Sequence, residues 1–327
     1  MKVCFTCSKG GHLTELLSLK SELRNIYNDY DSFMISSSST ALDELKMKER
    51  IYVTIDPKRS VTKTTMQFFQ SLQIFLAERP DIIITTGAGL SLSTCIIAKL
   101  FKKKIIFIES FSRVYRPSLF GRLVYPISNL TIVQWKPLLE YYKKGIYGGP
   151  ILEYSYEDPI IKNSKSSDQI FVTVGTEKFD RLIREVDRLV EEGVIKEKVI
   201  AQIGYADYEP KNCTWFRFTS QKEFLEIIRD SKFIISHGGV GSILQSLKLM
   251  KTTIVVPRLK RFNECCNDHQ FEITEELGKR GKIIGVYDLG DLKIAIRCAN
   301  DFEISTDKPD KSMVAQIVGK YLKEMGR

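Results

Sequence analysis

The stretch Phe233–Ser242, FIISHGGVGS, indicates how the second half of this chain folds. It begins with an apolar run of the β type, and three glycines separate that run from a helical pattern that starts at Ile243. A glycine-rich turn between strand and helix leaves backbone N–H groups free at the helix N-terminus, which suits a phosphate group. The stretch therefore predicts a strand–turn–helix unit with an anion site at its turn.

A second unit of this kind opens the chain. The apolar run Val3–Thr6 leads into the turn Lys9–His12, and a helical pattern covers Leu13–Leu23. Two of the three histidines in the chain lie in these two turns, one in each half. This arrangement predicts an α/β protein with two doubly wound, Rossmann-like domains that face each other across a cleft.

Composition and charge narrow the class of protein. The 327 residues, 43% hydrophobic and 27% charged, suit two soluble domains, and no apolar run reaches the ~18 residues of a membrane span. We expect no signal peptide, and the odd number of cysteines favours a reducing compartment. Cys4 and Cys7 form a C-x-x-C pair that we interpret as core thiols, since strand geometry sends them to opposite faces.

Positive charge is concentrated in residues 57–144, which carry a net charge of +10 against −1 for the rest of the chain. The same segment is rich in aromatic residues, and a helical pattern over 61–78 contains Phe68, Phe69 and Phe75. Such a surface suits an anionic membrane or nucleic acid, or it is an ordinary solvated face. Because motifs of nucleic-acid-binding folds are absent, we expect a protein that is peripheral on the cytosolic membrane face and binds no nucleic acid.

Apolar strands alternate with helical patterns through both halves, which predicts parallel sheets covered on both faces. The alternation stops after Gly148-Gly149-Pro150, so we predict a first domain over 1–152, a linker over 153–168 and a second domain over 169–327. The predicted strands are Lys2–Thr6, Ser32–Ser36, Ile51–Ile55, Asp81–Thr85, Lys104–Ile108, Leu130–Val133, Ile170–Val174, Val199–Ile203, Thr214–Phe218, Phe233–Ser236, Thr252–Val256 and Lys282–Ile284; the predicted helices are 13–25, 40–47, 61–78, 89–101, 136–143, 179–191, 221–229, 240–248, 268–279, 290–299 and 312–325.

Ligands of doubly wound sheets bind beyond the carboxyl ends of the strands. His12 lies at such an end in the first half, and its ordinary pKa suits a general base. Glu109 ends an apolar strand, where a carboxylate is costly without a partner or a task. In the second half, the glycine turn suits a diphosphate, and Gln245 lies one helical turn beyond Ser242, where an amide can meet a ribose hydroxyl.

The sequence does not support four other kinds of site. The Lys9–His12 turn departs from the G-x-G-x-x-G fingerprint, and no acid ends the second strand, which argues against NAD. The chain has no cluster of ligands at metal spacing and no P-loop or nucleophile elbow. We therefore expect no metal and no cofactor.

Seven motifs follow one another along the chain: Gly10-Gly11-His12, Thr85–Gly89, Glu109 at its strand end, Phe171–Thr176, Ser236–Ser242, Val255–Arg258 and His269-Gln270. In this order, they resemble the MurG-like branch of glycosyltransferase family 28. Residues 1–152 resemble the acceptor-binding, membrane-associated subunit of the two-subunit enzyme that adds the second GlcNAc to dolichyl-diphosphate-GlcNAc, and residues from 169 resemble its donor-binding subunit. The resemblance implies a fused GT-B protein that transfers a sugar from a UDP-sugar with inversion and without a metal, using His12 to deprotonate the acceptor. Gln245 stands where such enzymes carry a glutamate for the ribose. The resulting candidates are His12 and Glu109 for catalysis, Gly10, Gly11, Gly87 and Gly89 for the acceptor, and Gly175, Thr176, His237, Gly238, Gly239, Gly241, Ser242, Gln245, Arg258, His269 and Gln270 for the donor.

The function expected from the resemblance is β-1,4 transfer of GlcNAc from UDP-GlcNAc to a polyprenyl- or dolichyl-diphosphate-linked saccharide in N-glycan or surface-polysaccharide assembly. Alternatives remain open: a galactosyl- or glucuronosyltransferase of capsule or exopolysaccharide synthesis, a non-hydrolysing UDP-GlcNAc epimerase, and a binding protein for sugar nucleotides or nucleic acid without catalysis.

Overall fold

The computed structural model describes residues 1–38, 49–57, 60–151, 168–265, 268–305 and 312–326. The chain forms two compact units: unit 1 comprises Met1–Glu153 and Pro309–Arg327, and unit 2 comprises Tyr154–Lys308. The predicted helix over 40–47 and nearly all of the predicted linker lie outside the described residues.

In unit 1, the described residues form a seven-stranded parallel sheet in the order β3-β2-β1-β4-β5-β6-β7. The order reverses between β1 and β4, so the connections that leave these two strands diverge and open a crevice at their carboxyl ends. The bounds are β1 Lys2–Cys7, β2 Asp31–Ser36, β3 Ile51–Val53, β4 Ile82–Gly87, β5 Lys104–Ile108, β6 Leu130–Val133 and β7 Ile146–Tyr147.

The helices of unit 1 cover the apolar strands. The core joins leucines of α1 to strand residues such as Phe5, Ile84 and Ile106, all of which are excluded from water. Polar side chains follow at the carboxyl ends, where the sheet meets the turns. The bounds are α1 Gly11–Ile26, α2 Val61–Glu78, α3 Gly89–Leu100 and α4 Leu119–Val124, with 3-10 helices at Tyr125–Ile127 and Lys136–Glu140.

The last helix of the chain, α10 (Val314–Met325), belongs to unit 1. Its apolar stripe, which includes Val314, Val318 and Leu322, completes the core beside the buried face of α1. The prediction that residues 169–327 form one domain is therefore wrong for this helix. The periodicity shows that the helix has an apolar face, but it does not show which core that face covers.

In unit 2, the described residues form a six-stranded parallel sheet in the order β10-β9-β8-β11-β12-β13, with the reversal between β8 and β11. The predicted α/β class with two doubly wound units is confirmed. The bounds are β8 Gln169–Thr173, β9 Lys198–Gln202, β10 Thr214–Phe216, β11 Phe233–His237, β12 Thr253–Val256, β13 Ile284–Gly285, α5 Asp180–Glu191, α6 Gln221–Asp230, α7 Val240–Lys248, α8 His269–Lys279 and α9 Leu292–Cys298.

The described residues depart from the predicted elements in short segments. The expected helix over 136–143 is a 3-10 helix at Lys136–Glu140, with a proline in its first turn. The six-residue helix α4 and the two-residue strand β7 were not predicted, because such short elements show no periodicity. Cys4 and Cys7 are buried free thiols, as predicted, and burial raises the pKa of Cys7 to about 12.

Candidate functional site

In unit 1, two glycine turns lie at the reversal of strand order. Helix α1 begins after Gly10, with no side chain capping its first N–H groups, and a Cβ added at Gly10 or Gly11 would meet nothing within 4 Å. Helix α3 also begins without a side-chain cap, after Gly87 and Ala88. Both of these residues have positive φ, 111° and 84°, which is rare for alanine and marks a strained turn. The turns thus present uncapped backbone N–H groups, with open space beside the first of them.

His12 is fixed by the residue that precedes Gly87. Its Nδ1 lies 2.8 Å from the carbonyl oxygen of Thr86, and the Thr86 hydroxyl donates back to the His12 carbonyl at 2.9 Å. Because a carbonyl only accepts, Nδ1 carries the proton and Nε2 keeps its lone pair. Burial lowers the pKa of the imidazole, so the neutral form prevails at neutral pH. The ring is therefore held in the tautomer that a general base requires. The sequence motifs did not identify Thr86 as the hydrogen-bond partner of His12.

Glu109 is buried, and the protein satisfies its carboxylate. Oε1 accepts from the N–H of Ser110, and Oε2 accepts from the N–H and hydroxyl of Ser118 and from the Tyr142 hydroxyl. Ser118 in turn caps helix α4 through the N–H of Gly121. Glu109 therefore organises the loop between β5 and α4. This structural task explains the buried acid at a strand end, and a catalytic role for Glu109 stays a prediction.

A second buried carboxylate, Glu15, was missed by the sequence analysis. It lies on α1, three residues after His12, and accepts from the Ser110 hydroxyl at 2.9 Å, the Phe111 N–H at 3.1 Å and the Gln134 amide at 2.7 Å. Burial raises its pKa to about 7, and the nearby Glu109 adds to the shift. No local signal distinguished it from a solvent-exposed helical glutamate, because all three partners lie far along the chain.

In unit 2, the glycine turn at the end of β11 is built by close packing. A Cβ on Gly238 would lie 2.7 Å from Gln270 Cβ, and one on Gly239 would lie 2.1 Å from His237 Nε2. A Cβ on Gly241 would meet nothing within 4 Å. Helix α7 begins here without a side-chain cap. The first two glycines are thus required by the protein itself, whereas the third faces open space at an uncapped helix N-terminus.

His237 repeats the arrangement of His12. Its Nδ1 lies 3.3 Å from the carbonyl oxygen of Thr173 on the neighbouring strand, and a Cβ on Gly175 would lie 2.8 Å from its ring. Burial is the main cause that lowers the pKa of His237 to about 3, and Arg258 adds to the effect. The imidazole is therefore neutral at physiological pH, so it brings no positive charge to an anion.

Arg258 and Gln270 contact protein groups. The buried guanidinium of Arg258 donates to the carbonyl oxygens of Val174, Glu177 and Lys178, and Gln270 Oε1 accepts from the Arg258 backbone N–H. Burial lowers the pKa of Arg258 to about 10. Both side chains shape the loop that holds Gly175 and Thr176. Their direct contact with a ligand stays a prediction.

The other donor candidates lie around the same strand ends. Ser242 and Gln245 are partly exposed on the first turns of α7, and His269 is partly exposed at the start of α8. The N–H of Tyr205 donates to the Thr176 carbonyl at 3.1 Å. The predicted donor residues thus converge on the carboxyl ends of β8, β11 and β12.

An exposed apolar surface covers part of unit 1. Val61, Met66, Phe69 and Leu76 of α2 are exposed, whereas Phe75 of the same helix packs inward. Apolar side chains are also exposed on α3, on the residue after it and on α4: Ile96, Leu100, Phe101, Leu119 and Leu123.

The described residues contain neither a membrane-spanning helix nor a group of metal ligands. No helix in them is long and apolar enough to cross a bilayer. No group of three or more His, Cys, Asp or Glu side chains in that part of the chain could hold a metal ion.

Comparison with known proteins assigns a family model to each half. Residues 3–151 match the model described as oligosaccharide biosynthesis protein Alg14 like, and residues 169–288 match the glycosyltransferase family 28 C-terminal domain. The UDP-N-acetylglucosamine transferase subunit ALG14 of Mus musculus is 28% identical over 181 residues, which cover 46% of this chain and 83% of that protein.

Other relatives span most of the chain. The UDP-N-acetylglucosamine–N-acetylmuramyl-(pentapeptide) pyrophosphoryl-undecaprenol N-acetylglucosamine transferase of Clostridium perfringens is 23% identical over 290 residues, 80% of each protein. MurG of Acinetobacter baumannii shares the fold with a TM-score of 0.63, 12% identity and 99% coverage of both chains. UDP-N-acetylglucosamine 2-epimerase of Rickettsia bellii shares it with a TM-score of 0.68, 12% identity and coverage of 99% and 95%. The fold is therefore common to transferases and epimerases.

Proposed function

We propose that this chain, which belongs to glycosyltransferase family 28 and joins an Alg14-like half to a family 28 C-terminal domain, transfers N-acetylglucosamine from UDP-N-acetylglucosamine to a saccharide linked to a lipid diphosphate. The chain is a UDP-sugar-dependent hexosyltransferase. The observation that carries the proposal is that one chain has both an uncapped glycine turn in unit 2 and, in unit 1, a histidine held in the tautomer of a general base.

The donor diphosphate binds at the start of α7. Backbone N–H groups of the first helical turn and the helix dipole attract its charge, and the open space beside Gly241 admits a phosphate oxygen. The Ser242 hydroxyl contributes a further donor, and the Gln245 amide binds the ribose. Because N–H groups and the dipole stabilise the charge that develops on UDP, the reaction proceeds without a metal.

The exposed pair Tyr205 and Phe218, with ring centroids 4.9 Å apart, supplies an aromatic face for the uracil. This pair lies beyond the carboxyl ends of β9 and β10, beside the loop that holds Thr176. The base would thus stack in the same unit that receives the diphosphate.

The acceptor hydroxyl is deprotonated by His12. Nε2 of this ring carries the lone pair, because Nδ1 donates to the Thr86 carbonyl oxygen. The Thr86 hydroxyl donates to the backbone carbonyl of His12. The turn around Gly10 and Gly11 leaves open space for the acceptor. Attack on C1 of an α-linked donor from the face opposite UDP inverts that centre and gives a β-linkage, which we assign as β-1,4.

Unit 1 binds the cytosolic face of an anionic membrane without crossing it. The exposed apolar residues of α2, α3 and α4 form the contact surface, and Lys99, Lys102 and Arg122 lie on or next to these helices to attract acidic headgroups. A lipid-linked acceptor requires this proximity, because its polyprenyl chain stays in the bilayer.

The test is a panel of UDP-sugars with and without a lipid-diphosphate saccharide. We expect UDP release that depends on the acceptor and is greatest with UDP-N-acetylglucosamine. Conversion of UDP-N-acetylglucosamine without acceptor would identify an epimerase. A preference for UDP-galactose or UDP-glucuronate would identify a different donor sugar. Binding of UDP-sugar without turnover would contradict the proposed transferase activity.

A further inference from the structure

The segment Ser110–Arg113, here called the arginine turn, is held rigidly in unit 1. The Ser110 hydroxyl and the Phe111 N–H donate to the two oxygens of Glu15. The Trp135 indole donates to the Phe111 carbonyl at 2.6 Å, and the two rings pack with centroids 5.1 Å apart. The turn is therefore fixed both to helix α1 and to the end of β6.

The hydrogen bonds of Glu15 to Ser110 and Phe111, here called the brace, rely on a buried carboxylate. It is 1% exposed, and among the described residues no cation forms a salt bridge with it. A buried carboxylate without a cation costs free energy that neutral hydrogen-bonding groups would not. Its position one turn after His12 means that the brace ties the arginine turn to the helix that carries the proposed base.

Ser110 is bound to Glu15, three residues after His12 on helix α1. Its carbonyl oxygen accepts at 3.0 Å from the N–H of Arg113, which lies at the end of the turn. The positive charge of Arg113 contributes, after burial, to the lowered pKa of the His12 imidazole. Arg113 is partly exposed and forms no salt bridge within the described part of the chain. A partly exposed guanidinium on this turn, with no salt-bridge partner in the described part of the chain, suits a phosphate oxygen, which it binds with planar, charge-assisted hydrogen bonds.

We propose that Arg113 binds a phosphate group of the acceptor and that Glu15 is the positioning residue that holds Arg113 beside His12. This inference rests on the proposed function and names the part of the acceptor that unit 1 recognises. The brace fixes the distance between the anion-binding group and the base, so a bound diphosphate places the sugar hydroxyl at His12.

The first experiment compares two acceptors in a lipid-free assay: a short-chain, water-soluble diphosphate saccharide and the same saccharide on a neutral alkyl group. We expect Arg113→Gln to raise the KM for the diphosphate acceptor about tenfold or more, because a charge-assisted hydrogen bond is lost. Its kcat/KM for the neutral acceptor should fall much less than its kcat/KM for the diphosphate acceptor. Arg116→Gln, an exposed arginine three residues on, is the matched control and should change neither value.

The second experiment tests the positioning role with a double-mutant cycle. Glu15→Gln should raise the KM for the diphosphate acceptor, leave UDP affinity unchanged, and cause little further loss when Arg113 is already glutamine. Additive losses would overturn the role of Glu15. If Glu15→Gln fails to fold, Ser110→Ala, which removes one contact of the brace, takes its place in the cycle.

The outcomes also separate this inference from the proposed function. Wild type that transfers sugar to neither acceptor contradicts the proposed function. If wild type is active and Arg113→Gln keeps the preference for the diphosphate acceptor, only the inference about Arg113 is overturned. A loss that occurs on anionic vesicles but not in the lipid-free assay would assign Arg113 to membrane headgroups and would equally overturn it.

Discussion

Replacing Gly241 with alanine tests the donor site directly. Gly241 is the second residue of α7, and a Cβ built on it meets nothing within 4 Å, so the added methyl group fits the protein without a clash. In our proposal this space receives a diphosphate oxygen. The methyl group would push that oxygen away from the N–H groups of the first helical turn and weaken at least one charge-assisted hydrogen bond.

The magnitude follows from the strength of such bonds. A hydrogen bond to a charged group contributes about 1.5–3 kcal/mol, and each 1.4 kcal/mol changes a binding constant about tenfold. We therefore expect calorimetry to show UDP binding weakened by roughly 10- to 100-fold. Unfolding should not become easier, because alanine favours a helix more than glycine by about 1 kcal/mol.

Gly239→Ala gives the matched contrast. Its Cβ would lie 2.1 Å from His237 Nε2, so this variant should lose both stability and UDP binding. A UDP affinity of Gly241→Ala within twofold of the wild-type value would show that the diphosphate binds elsewhere. A loss of stability in Gly241→Ala would contradict the open space beside that glycine.

Three further predictions follow. His12→Ala should fold and bind UDP but transfer sugar about 10²–10⁴-fold more slowly, and turnover near the wild-type rate would exclude His12 as the base. Burial raises the pKa of Glu15 to about 7, so between about pH 4.5 and 7 the unfolded chain releases a proton that the folded chain keeps, and stability falls as the pH rises. Relative to Glu15→Gln, the free energy of unfolding of wild type should fall by about 3 kcal/mol between pH 4 and pH 8. Denaturant unfolding followed by the fluorescence of Trp135, with the second tryptophan replaced by phenylalanine, measures this change. A difference between the two proteins that does not vary with pH would contradict the raised pKa. Phe69→Ser should weaken sedimentation with anionic liposomes, whereas Ile294→Ser, equally exposed in unit 2, should not; equal binding to neutral liposomes at any salt concentration would remove the membrane proposal.

The class of fold and the location of both turns could be predicted from the sequence. Apolar strand runs separated by helical patterns encode parallel sheets, because burial on both faces requires nearly continuous apolar strands. The glycine turns at Lys9–His12 and Ser236–Ser242 were equally visible, since a strand-to-helix turn and its glycines are neighbours in the chain. The predicted strand at Lys104–Ile108 and the predicted helix at 61–78 match the structure to the residue.

The hydrogen-bond partners of the buried charged side chains follow only from the tertiary structure. Glu109, a predicted catalytic residue, accepts hydrogen bonds from the loop between β5 and α4. Arg258, a predicted donor-binding residue, donates to three carbonyl oxygens. Both predicted roles stay predictions. Glu15 was not predicted at all, because its partners Ser110 and Gln134 lie 95 and 119 residues away. The periodicity of apolar residues shows which face of each segment is buried. A buried polar contact depends instead on which distant segments the completed sheet brings together. For the same reason, the apolar stripe of α10 could be read from the sequence, but only the folded chain shows that it completes the core of unit 1.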